Sequence, residues 1–348
     1  MKKYSIVLLA IALFSCKQDK KTGDLESNII EKTVFDDSKY VLDASFKIGD
    51  ARRYGVTATT AGLPHPNTGK NRMASVLDLA EESELEINFP SGYYKMDLTL
   101  DSRKNMTLRF DKSEFNLIHI TQRKKEDAIP ENIVLKGTLI AYDRLGLTEA
   151  KNITIDSVIL KSDIDKSLRN MRNRGCHIYH GCKDIAINYL EVQDLGSGSE
   201  EHKYTHAAIA IDGWQNNPTD ITINKAHIKS SDRHGVYITG TDNYIKELIV
   251  DKFGIGTSEF MDGMQDADNA QNEHKELTGL WINKCYDCAF DKVTINEKES
   301  KGLYTAFFDA GDKTRPTLIG DMTVLNDSKK IEVKRDPNTA VEATISIK

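Results

Sequence analysis

From about residue 100 to 325 the chain repeats a short pattern: a polar residue, often Asn or Asp, then a triplet with aliphatic outer members. The copies begin as Asn105-Met106-Thr107-Leu108, Asn132-Ile133-Val134-Leu135 and Asn152-Ile153-Thr154-Ile155. They continue as Asp184-Ile185-Ala186-Ile187, Asp220-Ile221-Thr222-Ile223, Glu247-Leu248-Ile249-Val250, Lys292-Val293-Thr294-Ile295 and Asp321-Met322-Thr323-Val324. Successive first positions differ by 27, 20, 32, 36, 27, 45 and 29 residues. A period of two predicts strands. Strands that return at these intervals, with no helical stretch between them, predict a coil of stacked β rungs. Propellers and sandwiches also repeat strands, but their hairpin turns are missing here. The unequal spacing then means loops of unequal length, the longest over 256–275.

Each rung carries a second strand, announced by a small residue before an alternating apolar run. It reads His177-Ile178-Tyr179, Ala208-Ile209-Ala210-Ile211, Gly235-Val236-Tyr237-Ile238, Gly279-Leu280-Trp281-Ile282 and Gly302-Leu303-Tyr304-Thr305. Alternate side chains on a strand point outward, so Tyr179, Ala210, Tyr237, Trp281 and Tyr304 are expected to form one outward column, with neighbours about 4.8 Å apart. Exposed aromatic faces of this kind stack on the apolar faces of sugar rings and mark binding surfaces.

Arg52-Arg53-Tyr54-Gly55-Val56, an amphipathic helix over 72–81 and Asn88-Phe89-Pro90-Ser91-Gly92-Tyr93-Tyr94 precede the coil. Together they resemble the opening of the pectate-lyase-like β-helix superfamily. There a short helix caps the coil and a Pro-x-Gly-x-Tyr turn enters the first rung. The cap covers a sheet edge that would otherwise recruit another chain. The resemblance implies an all-β fold: a single right-handed parallel β-helix over 41–330 with a short N-terminal capping helix, followed by a strand or tail over 331–348. It implies glycan chemistry without choosing among lyases, hydrolases, epimerases and non-catalytic adhesins.

At the N-terminus, Lys2 and Lys3 precede an uncharged run that ends at Leu13-Phe14-Ser15-Cys16. That run is shorter than the ~20 residues a membrane-spanning helix needs and fits the apolar core of a secretory signal. Its ending resembles a bacterial lipobox, in which Cys16 is lipidated and becomes the first mature residue. Polar residues 17–40 read as a disordered tether. The expected location is the cell envelope, at the outer membrane, with membrane contact through the lipid anchor alone.

A net charge of −6 over 348 residues argues against a nucleic-acid partner. Against this acidic background, Arg174, His177, His206, Arg233, His234, Lys275 and Lys301 cluster just before the second strands, with Asp232 and Glu276 among them. Such an edge suits an anionic polysaccharide or oligosaccharide bound by a monomer. Eliminating a uronic-acid polymer requires a neutralised carboxylate, a base for the C5 proton and an acid for the leaving oxygen. Arg233 is assigned the carboxylate, and His206 (or His234) with Tyr237 the protons. Arg174, His177, Tyr179, Asp232, Trp281, Lys301 and Tyr304 are assigned to substrate binding. A hydrolase would need two carboxylates about 5–9 Å apart, and only Asp212 and Asp232 stand near this edge, so a lyase is favoured. A hydrolase, a C5-epimerase and a non-catalytic glycan binder are the alternatives.

Cys176 and Cys182 lie three rungs from Cys285 and Cys288, roughly 14 Å, too far to share a zinc ion. A local disulfide or buried thiols is expected instead. Asp262, Asp266 and Asp268 offer oxygen ligands to Ca²⁺, although their spacing is not that of an EF-hand. No other cofactor is implied, and His65 and His119 stand alone with no role. Replacing the lipidation residue, Cys16→Ser, should leave the chain free of fatty acid and soluble on phase separation of cell extracts. A variant that still partitions with membranes would remove the lipobox reading.

Overall fold

A computed structural model describes residues 35–163, 165–166, 173–196, 207–213, 215–255, 277–300, 304–326 and 333–348. The signal, Cys16 and the tether as far as residue 34 lie outside this set, as do His206, Asp262, Asp266, Asp268, Lys275, Glu276 and Lys301.

Among the described residues twenty strands form one sheet that winds as a coil, nearly every strand pairing in parallel with the one two places along the chain. The first turn comprises β1 (Ile87–Phe89), β2 (Gly92–Tyr93) and β3 (Leu98–Thr99). Nine long strands then stack in a column: β4 (Lys104–Phe115), β6 (Glu131–Ala141), β8 (Lys151–Leu160), β10 (Lys183–Val192), β12 (Thr219–Ile228), β14 (Tyr244–Val250), β16 (Ala289–Asn296), β18 (Thr317–Leu325) and β20 (Val341–Ile347). Alternating with them along the chain are the short strands β5 (Ile118–Thr121), β7 (Arg144–Thr148), β9 (Gly175–Ile178), β11 (Ala207–Ile211), β13 (His234–Thr241), β15 (Leu280–Tyr286), β17 (Ala306–Phe308) and β19 (Val333–Arg335). These continue from β3 as a second column. The expected all-β parallel β-helix is therefore present, and residues 333–347 pair as part of the same coil.

Inward side chains form rows of identical height, as a coil with one shared core requires. Leu139, Val158, Leu190, Ala226, Leu248, Val293 and Met322 stack in register, and all are buried. This row corrects the repeat read from the sequence. The copies at Leu248, Val293 and Met322 share the row of Ala226, Leu190 and Val158, in the second half of the long strands. The copies at Met106, Ile133, Ile153, Ile185 and Ile221 occupy the first half. Both halves alternate in the same way, so the pattern alone cannot tell one from the other.

The polar residue that opens each of the first five copies has a backbone reason, and Asp242 and Asp287 take the same place before β14 and β16. Asn105, Asn132, Asn152, Asp184, Asp220, Asp242 and Asp287 all have positive φ, between 50° and 58°. They turn successive coils at one corner, and Asn and Asp are the side-chain-bearing residues that best tolerate this left-handed conformation. Asn152 donates to Asn132 (2.7 Å) and Asn132 to Asn105 (2.8 Å), an amide ladder along the corner. The small residue before each second strand is equally constrained. A Cβ on Gly235 would stand 2.4 Å from the carbonyl oxygen of Gly279 in the next coil.

The N-terminal end is closed by helix α1 (Arg72–Ser83), whose cap is the Asn71 side chain accepting from Ala74 N–H. Its buried face is Met73, Val76, Leu77, Leu79 and Ala80. Arg103, just before β4, ties the helix to the coil through Asp78 (2.7 Å) and Glu81 (2.8 Å). Among the described residues no helix is long and apolar enough to cross a membrane. Asn132→Ala should cost about 1–2 kcal/mol, the penalty for forcing a Cβ-bearing residue without a local hydrogen bond into this conformation. Asn132→Gly should cost less, and thermal unfolding of the two variants side by side measures the difference.

Candidate functional site

The pairing of the short strands defines an outward column directly. His119, Gly146, His177, Ala210, Tyr237, Trp281 and Phe307 are mutual partners from β5 to β17. Ala210, Tyr237 and Trp281 stand where the alternation placed them. Tyr179 and Tyr304 do not, and their places are taken by His177 and Phe307. The first shift arises because Cys176, which is buried, fills an inward position opposite Ile209. A buried Cys behaves as a small apolar residue, and counting it as such moves the register by two. The second arises because β17 starts at Ala306, beyond Tyr304. Tyr237 and Trp281 meet edge to face at 4.9 Å, and Trp281 and Phe307 stack at 5.4 Å. These are favourable aromatic geometries that leave three partly exposed rings in a row.

Beside this ladder lies a cleft of about 360 Å³ lined by Asp212, Asn217, Tyr237, Thr239, Trp281, Asn283 and Lys284. Asp212 follows the inward Ile211 at the end of β11 and reaches back to His177, Nε2 to Oδ1, at 3.0 Å. With Nε2 donating to the carboxylate, neutral His177 keeps Nδ1 as its basic nitrogen. The carboxylate also stabilises the imidazolium once a proton is taken. Tyr237 lies two strands away across the small Ala210, roughly 10 Å along the stack. Its hydroxyl accepts from Asn283 Nδ2 at 3.0 Å. Burial raises its pKa, the Asn283 bond opposes this, and Asp212 and Asp309 add to the rise. The phenol therefore stays protonated, with a proton to give.

The expected cationic edge is built differently. Arg174 is 8 % exposed and forms a two-pronged pair with Asp143, Nη2 to Oδ2 at 2.6 Å. Asp232, Arg233 and His234 are 0 %, 4 % and 6 % exposed. His234 Nδ1 accepts from Thr278 N–H at 3.0 Å, and its ring packs 5.1 Å from that of Trp281. These residues are buried at the corner entering β13, and Arg174 at the corresponding corner entering β9, with His234 packed against the platform through Trp281. Charge pattern along a sequence does not reveal that a cation is committed to a buried carboxylate. Of the remaining assignments, Tyr179 packs its ring 4.8 Å from that of His177, and Tyr304 is partly buried just before β17.

Sequence reading also passed over His119, in the same column two strands below His177. Arg144 Nη2 donates to its Nε2 at 2.7 Å. Burial first, then the Arg144 charge, push its imidazole down to about 4. Asn283 and Lys284 were not foreseen either, because they sit in an irregularity of β15 that alternation does not show.

Both expectations for the cysteines occur. Cys285 and Cys288 form a disulfide, whereas Cys176 and Cys182 are buried free thiols. Burial raises the pKa of both thiols, that of Cys182 to about 12. No cluster of three or more His, Cys, Asp or Glu side chains suited to a metal ion occurs among the described residues.

Comparison of the chain with protein-family models, curated protein sequences and solved structures finds no match in any of the three.

Because folded His119 resists protonation until about pH 4, whereas an unfolded histidine takes up its proton near 6.5, its contribution to stability is complete above about 6.5 and declines as the pH falls towards 4. His119→Gln should flatten that part of the stability profile, measured by denaturant unfolding across this range.

Proposed function

We propose that this protein is an exported, lipid-anchored enzyme that cleaves an acidic polysaccharide by β-elimination on the face formed by β9 to β17. The observation that carries the reading is the pairing of a carboxylate-oriented histidine, His177 with Asp212, with the protonated phenol of Tyr237 across the gap left by Ala210. A sugar stacked against the Tyr237–Trp281–Phe307 ladder and extending over Ala210 meets both groups. His177 Nδ1 takes the C5 proton, the C4–O4 bond breaks as the C4–C5 double bond forms, and the Tyr237 hydroxyl protonates the departing O4. Solvent then returns the proton from His177 to Tyr237. A C5-epimerase would share the first step and return a proton to C5 from the opposite face.

Hydrolysis is less well supported. Asp212 and Asp309 each follow the inward residue of their strand, and three strand spacings separate them. That is about 14 Å, beyond the separation at which two carboxylates straddle a glycosidic bond. The aromatic ladder favours a second reading, a surface glycan binder without turnover, since stacking alone suffices for binding.

Incubating the mature protein with uronate-containing polysaccharides and following ultraviolet absorbance of the unsaturated chain end separates the two. The enzyme reading expects turnover. His177→Ala and Tyr237→Phe should each lower kcat by about 10²- to 10⁴-fold. Trp281→Ala should mainly raise KM, as loss of a contact made equally in ground and transition states does. Binding without any turnover would establish the binder instead.

A further inference from the structure

From β9 to β17 the short strands pair residue for residue except at one place. Ile238 pairs with Ile282, but Gly240 pairs with Cys285, so β15 holds one residue more than β13. Two residues, Asn283 and Lys284, thus stand against the single Thr239. Such bulges re-aim side chains and gather beside active sites. Here the bulge brings the Asn283 amide to the Tyr237 hydroxyl and puts Lys284 at the lip of the cleft.

The bulge is held on both sides. Lys284 itself has a left-handed backbone, φ 48°, and its N–H donates to Ala310 O at 2.7 Å. The next residue, Cys285, is joined to Cys288, closing the corner Tyr286-Asp287. Arg315 braces that corner from the following coil, bonding Asp287 at 2.6 Å and lying over the Tyr286 ring at 5.5 Å. The Lys284 side chain, by contrast, is exposed and has no ion-pair or hydrogen-bond partner among the described residues. The other charged group of the cleft, Asp212, is engaged by His177. The cleft therefore presents two aromatic faces and one uncommitted positive charge on an anchored backbone.

We propose that Lys284 recognises the acidic group of the bound glycan, a carboxylate or a sulfate, and that the Cys285–Cys288 disulfide keeps the bulge that aims it. The proposal rests on the glycan reading of the face and adds to it the residue that sets preference for charge. An ammonium suits either anion, as a point charge on a flexible stem, and a charge-assisted contact of this kind, once the ligand covers it, is worth about tenfold in affinity.

Titration calorimetry with three ligands tests it: a uronate oligosaccharide, its carboxyl-reduced neutral counterpart and a sulfated oligosaccharide. Lys284→Gln should lose about tenfold or more on the preferred acidic ligand and nothing on the neutral one, while Lys284→Arg retains most of the preference. Trp281→Ala should weaken all three alike. Reducing the disulfide with a thiol reagent, with the fold checked by circular dichroism, should shrink the acidic preference towards that of Lys284→Gln. The double variant Cys285→Ser/Cys288→Ser should do the same. If Lys284→Gln binds every ligand as wild type does while Trp281→Ala weakens them, the Lys284 assignment is wrong and the platform stands. If wild type binds none of the three, both fail. An acidic preference unchanged by reduction removes the role given to the disulfide.

Discussion

A coil held by parallel pairing must bring its apolar residues to the same inward heights on every turn, and the other features of this molecule follow from that requirement. The core is the sum of these rows, Leu139 to Met322 in one column and Ile178, Ile211, Ile238, Ile282 and Phe308 in the other. Each strand gives half its side chains to the interior. Between turns the chain must change direction without losing register, and the left-handed Asn and Asp residues do this at one corner, from Asn105 to Asp287. Surface chemistry is bound by the same rule, because a side chain reaches the platform only from the positions the core leaves over.

Pairing also places residues distant in sequence at neighbouring heights. His177, Asp212, Tyr237 and Asn283 belong to four successive short strands or their ends, and each is one step from the next along the stack. Two hydrogen bonds, His177 to Asp212 and Asn283 to Tyr237, bridge these steps and fix the polar groups relative to the aromatic ladder. Beside them the buried His234 accepts from Thr278 N–H and packs its ring against Trp281 of the ladder. Rigidity of this kind keeps the side chains of the face in a single register.

The fold was legible because a period of two, repeated with a polar corner residue, survives loops of any length. The halves of the long strand were not, since Ile221-Thr222-Ile223 and Val293-Thr294-Ile295 are the same pattern in different places. On the platform, Tyr237 and Trp281 were readable because Val236, Ile238, Leu280 and Ile282 flank them unambiguously. His177 was hidden by Cys176, a residue that serves as readily in a core as in chemistry, and Phe307 by a strand starting later than its glycine suggested. Asn283 and Lys284 depend on a bulge, which breaks the very alternation that makes strands visible. The burial of the cations was hidden for another reason: whether Arg174 or Arg233 faces water depends on what packs over it, and that is decided by other turns of the coil.

The bulge at Asn283-Lys284 and the unequal stretches between strands share a consequence for how such a protein changes over time. Adding residues between strands lengthens a loop and leaves every row where it was, at an entropic cost that grows only slowly with length. Adding one residue inside a strand swaps the inner and outer faces of all that follows in it, unless a bulge absorbs it at once. Mutation by insertion is thus tolerated freely at the rim of the platform and filtered severely within it. A lineage built on this coil can exchange the loops around the cleft far more readily than the column of strands beside it.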